Sequence, residues 1–473
     1  MAQSVAVVGG GITGTTCARL LAQNFASSIA VTLFDQGQRG FGGRTSHRRV
    51  DLVSRLVLPD DEPDGNGPSF DSFDHGCQFF FSASPRLRDG AVEEWLRANI
   101  VHKWENRRVL WSTSSYAASA SSPSSSSSTR DFFGILSNAQ QPCFVGTGGM
   151  HRIARYQACM AEKSGATLRS GTRVSSTRAA TDGGGWELFG TSGHAAFHNT
   201  AETAVSGGVS DTSLGTFDAV VFTDASCSYE KWHRASAGAA EIAPQMATWI
   251  AARPRIPLFT AMITLRGCVC PNHDCIVFES GPVWYACRNN AKLRLGSIEG
   301  GADITESARD CWTLVSSPEF ACQEIAAVPM RAPKEAGGSF RPQEDSYLNG
   351  AGGPAEALSR AFLESPDVGG THSEVLYLQG QRWGSAVPGS LRGGERVEIE
   401  GTLYQRSVPD LTPVEVDSPK GASVAEKDFL FDDEKKVYYC GDFVSSGRVP
   451  GVEAAYLSAE DCARHVGALL GSR

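Results

Sequence analysis

The feature that most constrains this fold lies at the start of the chain, where the apolar run Val5 to Val8 leads directly into Gly9, Gly11 and Gly14. A second apolar run, Ala30 to Phe34, closes on Asp35. Strand, glycine turn, helix, strand and acid in that order form the βαβ unit that binds a dinucleotide. Gly9 permits a tight turn, Gly11 lets the backbone approach a pyrophosphate with no Cβ between them, and Gly14 lets the helix pack closely on the sheet. The unpaired amides of the helix's first turn then face the phosphates. Asp35 is expected to accept hydrogen bonds from the adenosine ribose, and an acid there disfavours a 2′-phosphate. The competing reading is a glycine-rich loop in an unrelated α/β protein.

The far end of the chain repeats the theme. Val437 to Cys440 runs into Gly441-Asp442, and a helix of small residues begins near Gly451. A second glycine pair, Gly42-Gly43, precedes Arg44. A distant Gly-Asp followed by a helix N-terminus points to a flavin, so the expected cofactor is FAD.

Composition narrows the class. With 473 residues and 41% hydrophobic content the chain can bury a large core. A net charge of −9 and a pI near 5.6 argue against nucleic acid or an anionic membrane as partner. No apolar stretch is long enough to span a bilayer. The glycine fingerprint begins almost at Met1, which leaves no room for a cleavable leader, and a cytoplasmic location is expected. The 13 cysteines are then expected to be reduced, with Cys17 and Cys462 among the core residues. Cys268, Cys270, His273 and Cys275 are zinc-ligand types, but their spacing lacks a CxxC knuckle. Pro271-Asn272 reads instead as the turn of a hairpin joining Ala261 to Cys268 with Cys275 to Glu279, and no metal is expected.

Ser112 to Thr129 is almost all Ser and Ala and is expected to be a disordered loop. Asn199 to Gly215, Val328 to Gly338 and Leu391 to Gly401 read as further loops. Between them, Met150, Ile153, Ala154, Gln157 and Ala158 have helical spacing, and Trp186 to Gly190 and Phe217 to Phe222 read as strands. The expected fold class is α/β, a discontinuous Rossmann-type FAD-binding domain with a second α+β substrate domain containing an antiparallel sheet. Residues 1–90, 140–240 and 425–473 would make the first domain. Residues 91–139 would add a helix and the serine-rich insertion, and 243–411 the substrate domain.

Further islands carry a family resemblance. Gly40 to Arg44, Asp74-His75-Gly76-Cys77-Gln78-Phe79-Phe80, Gly148-Gly149-Met150, Trp284 to Lys292, Trp312 to Ala321, Arg382-Trp383 and Gly441-Asp442 join the fingerprint in resembling the renalase family of the FAD-dependent amine oxidase superfamily. They span nearly the whole chain outside the insertions. The resemblance implies that Thr13 and the glycines Gly9, Gly11, Gly14 and Gly43 line the pyrophosphate, with Arg44 on phosphate oxygens. It implies that Val174 passes the adenine, that Gln78 and Phe79 touch the isoalloxazine, and that Gly441 and Asp442 hold the ribityl or pyrophosphate part. Phe79 stands where Tyr is common in the family, so a hydroxyl is missing there. The helix near Val452 would aim its positive end at the flavin N1 and C2 oxygen.

Tyr285, Arg288 and Trp383 are the substrate candidates, and Trp383 reads equally well as a core aromatic. Arg44 has its own bland alternative, a solvated place in a basic run with His47, Arg48 and Arg49. The resemblance implies a hydride-transferring oxidoreductase acting on misreduced dihydronicotinamide dinucleotides with O2 as acceptor. A dihydronicotinamide needs no acid or base to lose hydride, and no catalytic residue stands out. The alternatives are a flavin amine oxidase or desaturase, which would need an aromatic cage, and a non-catalytic dinucleotide-binding scaffold.

Overall fold

A computed structural model describes residues 2–51, 53–54, 56–58, 70–113, 130–181, 184–193, 211–292, 309–333, 335, 337–370, 372–390, 393–409, 428–445 and 448–471. Most of the serine-rich tract and the first part of the 199–215 insertion lie outside these residues.

The apolar runs at both ends of the chain meet in one six-stranded sheet. Gln3–Val8 sits in its middle, parallel to Ile29–Phe34 on one side and to Ala219–Phe222 on the other. Val437–Cys440 adds in parallel beyond Ala219–Phe222, Thr167–Arg169 extends the opposite edge, and Phe429–Asp432 closes the sheet antiparallel. Parallel strands covered on both faces read as unbroken apolar runs rather than alternating ones, and these do. The helices Ile12–Phe25 and Val452–Gly471 pack on one face through Cys17, Ala18, Leu21, Ala459, Cys462 and Val466. There the thiols of Cys17, Cys440 and Cys462, from three distant stretches, lie within 4.8 Å of one another in the buried layer. We propose on this basis that 1–90, 140–240 and 425–473 form one nucleotide-binding unit.

The second layer is an eight-stranded sheet built on Arg255–Arg266, which pairs antiparallel with both Arg309–Ser316 and Val375–Pro388. Its helices, Pro318–Ala327 and Pro354–Leu363, both carry Pro in the first turn, where the missing N–H costs nothing. The chain is thus mixed α/β, a largely parallel nucleotide sheet beside an antiparallel one.

Four expectations are corrected by the strand pairing. Cys275–Phe278 does not fold back on Arg255–Arg266; it pairs with Val283–Arg288 and, in parallel, with Val109–Ser112. All four of its residues are buried, so it gains more as an interior strand with two neighbours than as half of a surface hairpin. For the same reason residues 91–139 are more than a helix and an insertion, because Val109–Ser112 belongs to the large sheet and Ser112 hydrogen-bonds Asp367. Two expected loops also contain strand: Thr212–Phe217 pairs with Trp186–Ser192, and Arg396–Ile399 forms a hairpin with Thr402–Gln405.

Candidate functional site

A cavity of about 1070 Å³ runs along the C-terminal edge of the parallel sheet and on beneath the antiparallel one. Ligands of open α/β sheets bind at this edge. Its first wall is the glycine turn. A Cβ on Gly14 would lie 1.8 Å from the Gly9 carbonyl oxygen, so this glycine is required by helix packing. Gly11 differs. A Cβ there would meet nothing closer than 3.9 Å in the chain, so packing does not demand glycine; it would project into the cavity, where a pyrophosphate needs the room. Gly11 also bridges to Gly42, which brings the second glycine pair against the first. Asp35 closes this end and accepts a hydrogen bond from the Gly10 amide at 3.1 Å. Burial raises its carboxyl from 3.8 to about 6, against the pull of that bond and a neighbouring amide.

The two ends of the chain join across the cavity through Arg44. Its guanidinium forks onto Asp442 at 2.6 and 2.8 Å and also donates to the Ala386 carbonyl at 3.0 Å. Asp442 is almost fully buried, whereas the Arg44 side chain keeps 36% of its exposure and lines the cavity. Arg253, a residue the sequence did not single out, holds the loop beyond by donating to the Phe443 carbonyl at 2.7 Å. The terminal helix starts at Val452 behind Gly451, and both line the cavity, so its unpaired amides open into it.

The segment 74–79 leads from the strand Phe70–Asp74 to the strand Phe80–Phe81 and is fixed by a buried ionic knot. Asp74 accepts from Lys292 Nζ at 3.1 Å and from the Met150 amide at 2.8 Å, and lies 2.9 Å from His47 Nδ1. Burial works against its charge, yet Lys292 and His47 hold the carboxyl well below the ordinary range. Lys292 also donates to Gln78 Oε1 at 3.0 Å, while Gln78 Nε2 donates to the carbonyls of Asp74 and Gly76 at 2.6 and 2.8 Å. The Gln78 amide is therefore occupied in bracing its own loop. Lys292, present in the sequence only as the end of a resemblance run, is the residue that makes this possible.

Beyond Phe79 the cavity is aromatic. Phe79, Phe81, Phe132 and Phe133 all line it, with Phe79 centred 5.6 Å from Phe81 and 6.0 Å from Phe132. Phe132 and Phe133 were not foreseen: they follow the serine-rich tract, where no periodicity marks a wall. Tyr285 stacks flat on Phe132 at 4.1 Å.

Of the residues expected at the site, Gly9, Gly11, Thr13, Asp35, Gly43, Arg44, Gln78, Phe79, Val174, Trp383, Asp442 and Val452 line this cavity. Gly14 and Gly441 stand just behind it, Gly441 with a left-handed φ of 146° at the end of its strand. Tyr285 and Arg288 do not line it, and their expected substrate contacts are corrected. Phe132 lies against the Tyr285 ring, and Arg288 is buried on Asp310 at 3.0 Å and on the Cys270 carbonyl at 2.9 Å.

Residues 4–223 match the family model described as DAO, FAD dependent oxidoreductase. No curated protein matches the chain. Among solved structures, reduced UDP-galactopyranose mutase is similar with a TM-score of 0.54 at 12% identity, over 99% of this chain and 94% of that one. Glycine oxidase from Geobacillus kaustophilus gives 0.41 at 14% identity, over 99% and 95%. The likeness to the mutase is one of fold. The glycine cradle, the helix N-termini at the cavity and the match agree: residues 4–223 match an FAD dependent oxidoreductase domain, and the cofactor is FAD.

Proposed function

We propose that this protein oxidises a planar reduced substrate, foremost a dihydronicotinamide dinucleotide reduced at the wrong ring carbon, with O2 as terminal acceptor. The observation that carries this reading is the phenylalanine-lined end of the cavity, continuous with the nucleotide groove. Bound FAD supplies the two-electron acceptor. The protein's own part is to hold a ring and exclude water: the faces and edges of Phe79, Phe81, Phe132 and Phe133 take a flat ring by stacking. Loss of hydride from a dihydronicotinamide leaves an aromatic pyridinium and releases no proton, so a wall without a proton acceptor suffices. Orientation then provides most of the rate, because the donor carbon has to lie within roughly 3 to 3.5 Å of the acceptor atom. The resemblance to renalases supports the same substrate class.

A second reading is favoured by the same wall. An amine oxidase or a desaturase needs an aromatic slot, and the four phenylalanines provide one that the sequence did not reveal. Anaerobic stopped-flow reduction of the bound flavin separates the two. Off-position isomers of NADH or NADPH are expected to bleach it fast, with ordinary NADH and simple amines slow. Fast bleaching by an amine with no response to any isomer would replace the first reading with the second, and silence from every donor would favour a non-catalytic scaffold.

A further inference from the structure

His233 stands in the segment that follows the strand Ala219–Phe222, at the same sheet edge as the glycine turn, and it lines the cavity. Tyr229, Trp232 and Phe340 enclose its ring, with centroids 4.6, 5.2 and 4.8 Å away. Burial, joined by the charges of Arg234, Arg255 and Arg382, drops the imidazole from 6.5 to about 3, so it is neutral near pH 7. One contact fixes the tautomer: Nδ1 accepts from the Ala235 amide at 3.2 Å, which leaves the proton on Nε2. Nε2 has no hydrogen-bond partner among the described residues and is not sealed off, so a free N–H opens at the cavity from a ring whose other sides are covered.

Arg234 lines the same wall. Its guanidinium lies over the Phe340 ring at 5.4 Å, the ring that also packs edge-on against His233, and among the described residues it makes neither an ion pair nor a hydrogen bond. The neighbouring charge that acts on it is a second cation, Arg173, which lines the cavity too. A neutral N–H donor beside a guanidinium with no carboxylate to balance it suits an anion, and phosphate oxygens satisfy both groups.

We propose that His233 and Arg234 form a phosphate-binding subsite on the wall of the cavity. The phosphate group comes either from FAD or from a dinucleotide bound beside it, and the second source rests on the proposed substrate class. The experiment is calorimetric titration of the full-length protein in two arms, FAD into the apoprotein and NAD+ into the FAD-loaded protein, for wild type, His233→Phe, His233→Gln and Arg234→Gln, with thermal melts of each. His233→Phe keeps an aromatic ring among Tyr229, Trp232 and Phe340 but removes the donor, and Arg234→Gln removes the charge. Each should weaken binding about tenfold or more in the same arm, the value of a hydrogen bond to a charged group. His233→Gln retains an N–H and should bind more tightly in that arm than His233→Phe. Weakening confined to the first arm assigns the phosphate to FAD, and weakening confined to the second assigns it to the dinucleotide. Wild-type holoprotein that binds no NAD+ would strike the dinucleotide reading and leave the subsite to stand or fall on the FAD arm. No weakening in either arm would overturn the subsite, as would equal losses in His233→Phe and His233→Gln or losses that follow lower thermal stability. Should His233→Phe not fold, Arg234→Gln decides in its place, and wild-type affinity in both arms overturns the proposal.

Discussion

The two halves of the cavity are built on opposite principles. The nucleotide groove is made by backbone: glycines that remove side chains, helix ends that leave amides unpaired, and one arginine that ties the first hundred residues to the last fifty. The aromatic end is made by side chains brought together from distant strands and turns, Phe79 and Phe81 from one short stretch and Phe132 and Phe133 from another. A backbone site tolerates little variation, since any Cβ obstructs it. A side-chain wall can be recut residue by residue without disturbing the groove. The contrast explains how one nucleotide-binding frame can serve unlike substrates.

The largest expected effect tests whether the seam between the halves is held by the ionic knot. Lys292→Met leaves the Asp74 carboxylate buried without its cation and should lower stability by about 3 to 5 kcal/mol, read by chemical denaturation. The sign with pH is fixed. Asp74 is depressed, so its contribution is present above about 3.8 and lost on acidification. The gap between variant and wild type should therefore narrow as the pH falls, and a constant gap would mean that Lys292 acts by packing alone.

Next in size, Arg44→Ala removes the fork on Asp442 and should weaken FAD retention by about 1.5 to 3 kcal/mol. Unchanged cofactor affinity would return Arg44 to a purely structural role. At the other end, Phe132→Leu gives up the face-to-face contact with Tyr285, about 0.5 to 1.5 kcal/mol of stability, and should leave FAD affinity alone. Weaker FAD binding in that variant would show that the two ends are not separable.

The smallest effect concerns Asp35. A carboxyl raised from 3.8 to about 6 takes up a proton on folding, so it lowers stability as the pH rises through that window and adds no further change above it. The difference in melting temperature between wild type and Asp35→Asn should shift across that range and level off above it. FAD, whose ribose hydroxyls would donate to the ionised form, should bind more weakly below about pH 6 in the wild type only.

The same contrast decides what was legible in the sequence. Gly9, Gly11, Gly14 and Asp35 announce themselves because each backbone demand fixes a residue type at a fixed spacing. The sheet's middle and last strands were readable as apolar runs. Phe132 and Phe133 were not, since a wall residue needs only to be aromatic and its neighbours come from elsewhere in the chain. Tyr285 and Arg288 misled for a related reason. They sit in a run that resembles a known family, yet Val283–Arg288 is buried on both faces and keeps Tyr285 behind Phe132. Lys292 shows the same limit, its partner Asp74 being distant in sequence. The close approach of Cys17, Cys440 and Cys462 is invisible until the sheet is assembled.

The most direct test of the separation is to measure, in the same preparations, the FAD dissociation constant and the anaerobic reduction rate per bound flavin for Arg44→Ala and Phe132→Leu, with an off-position NADH isomer as donor. The account predicts a double dissociation: Arg44→Ala loses affinity and keeps its rate per bound flavin, and Phe132→Leu keeps affinity and loses rate. Both variants losing both properties together, or no reduction by the isomer even in the wild type, would contradict it.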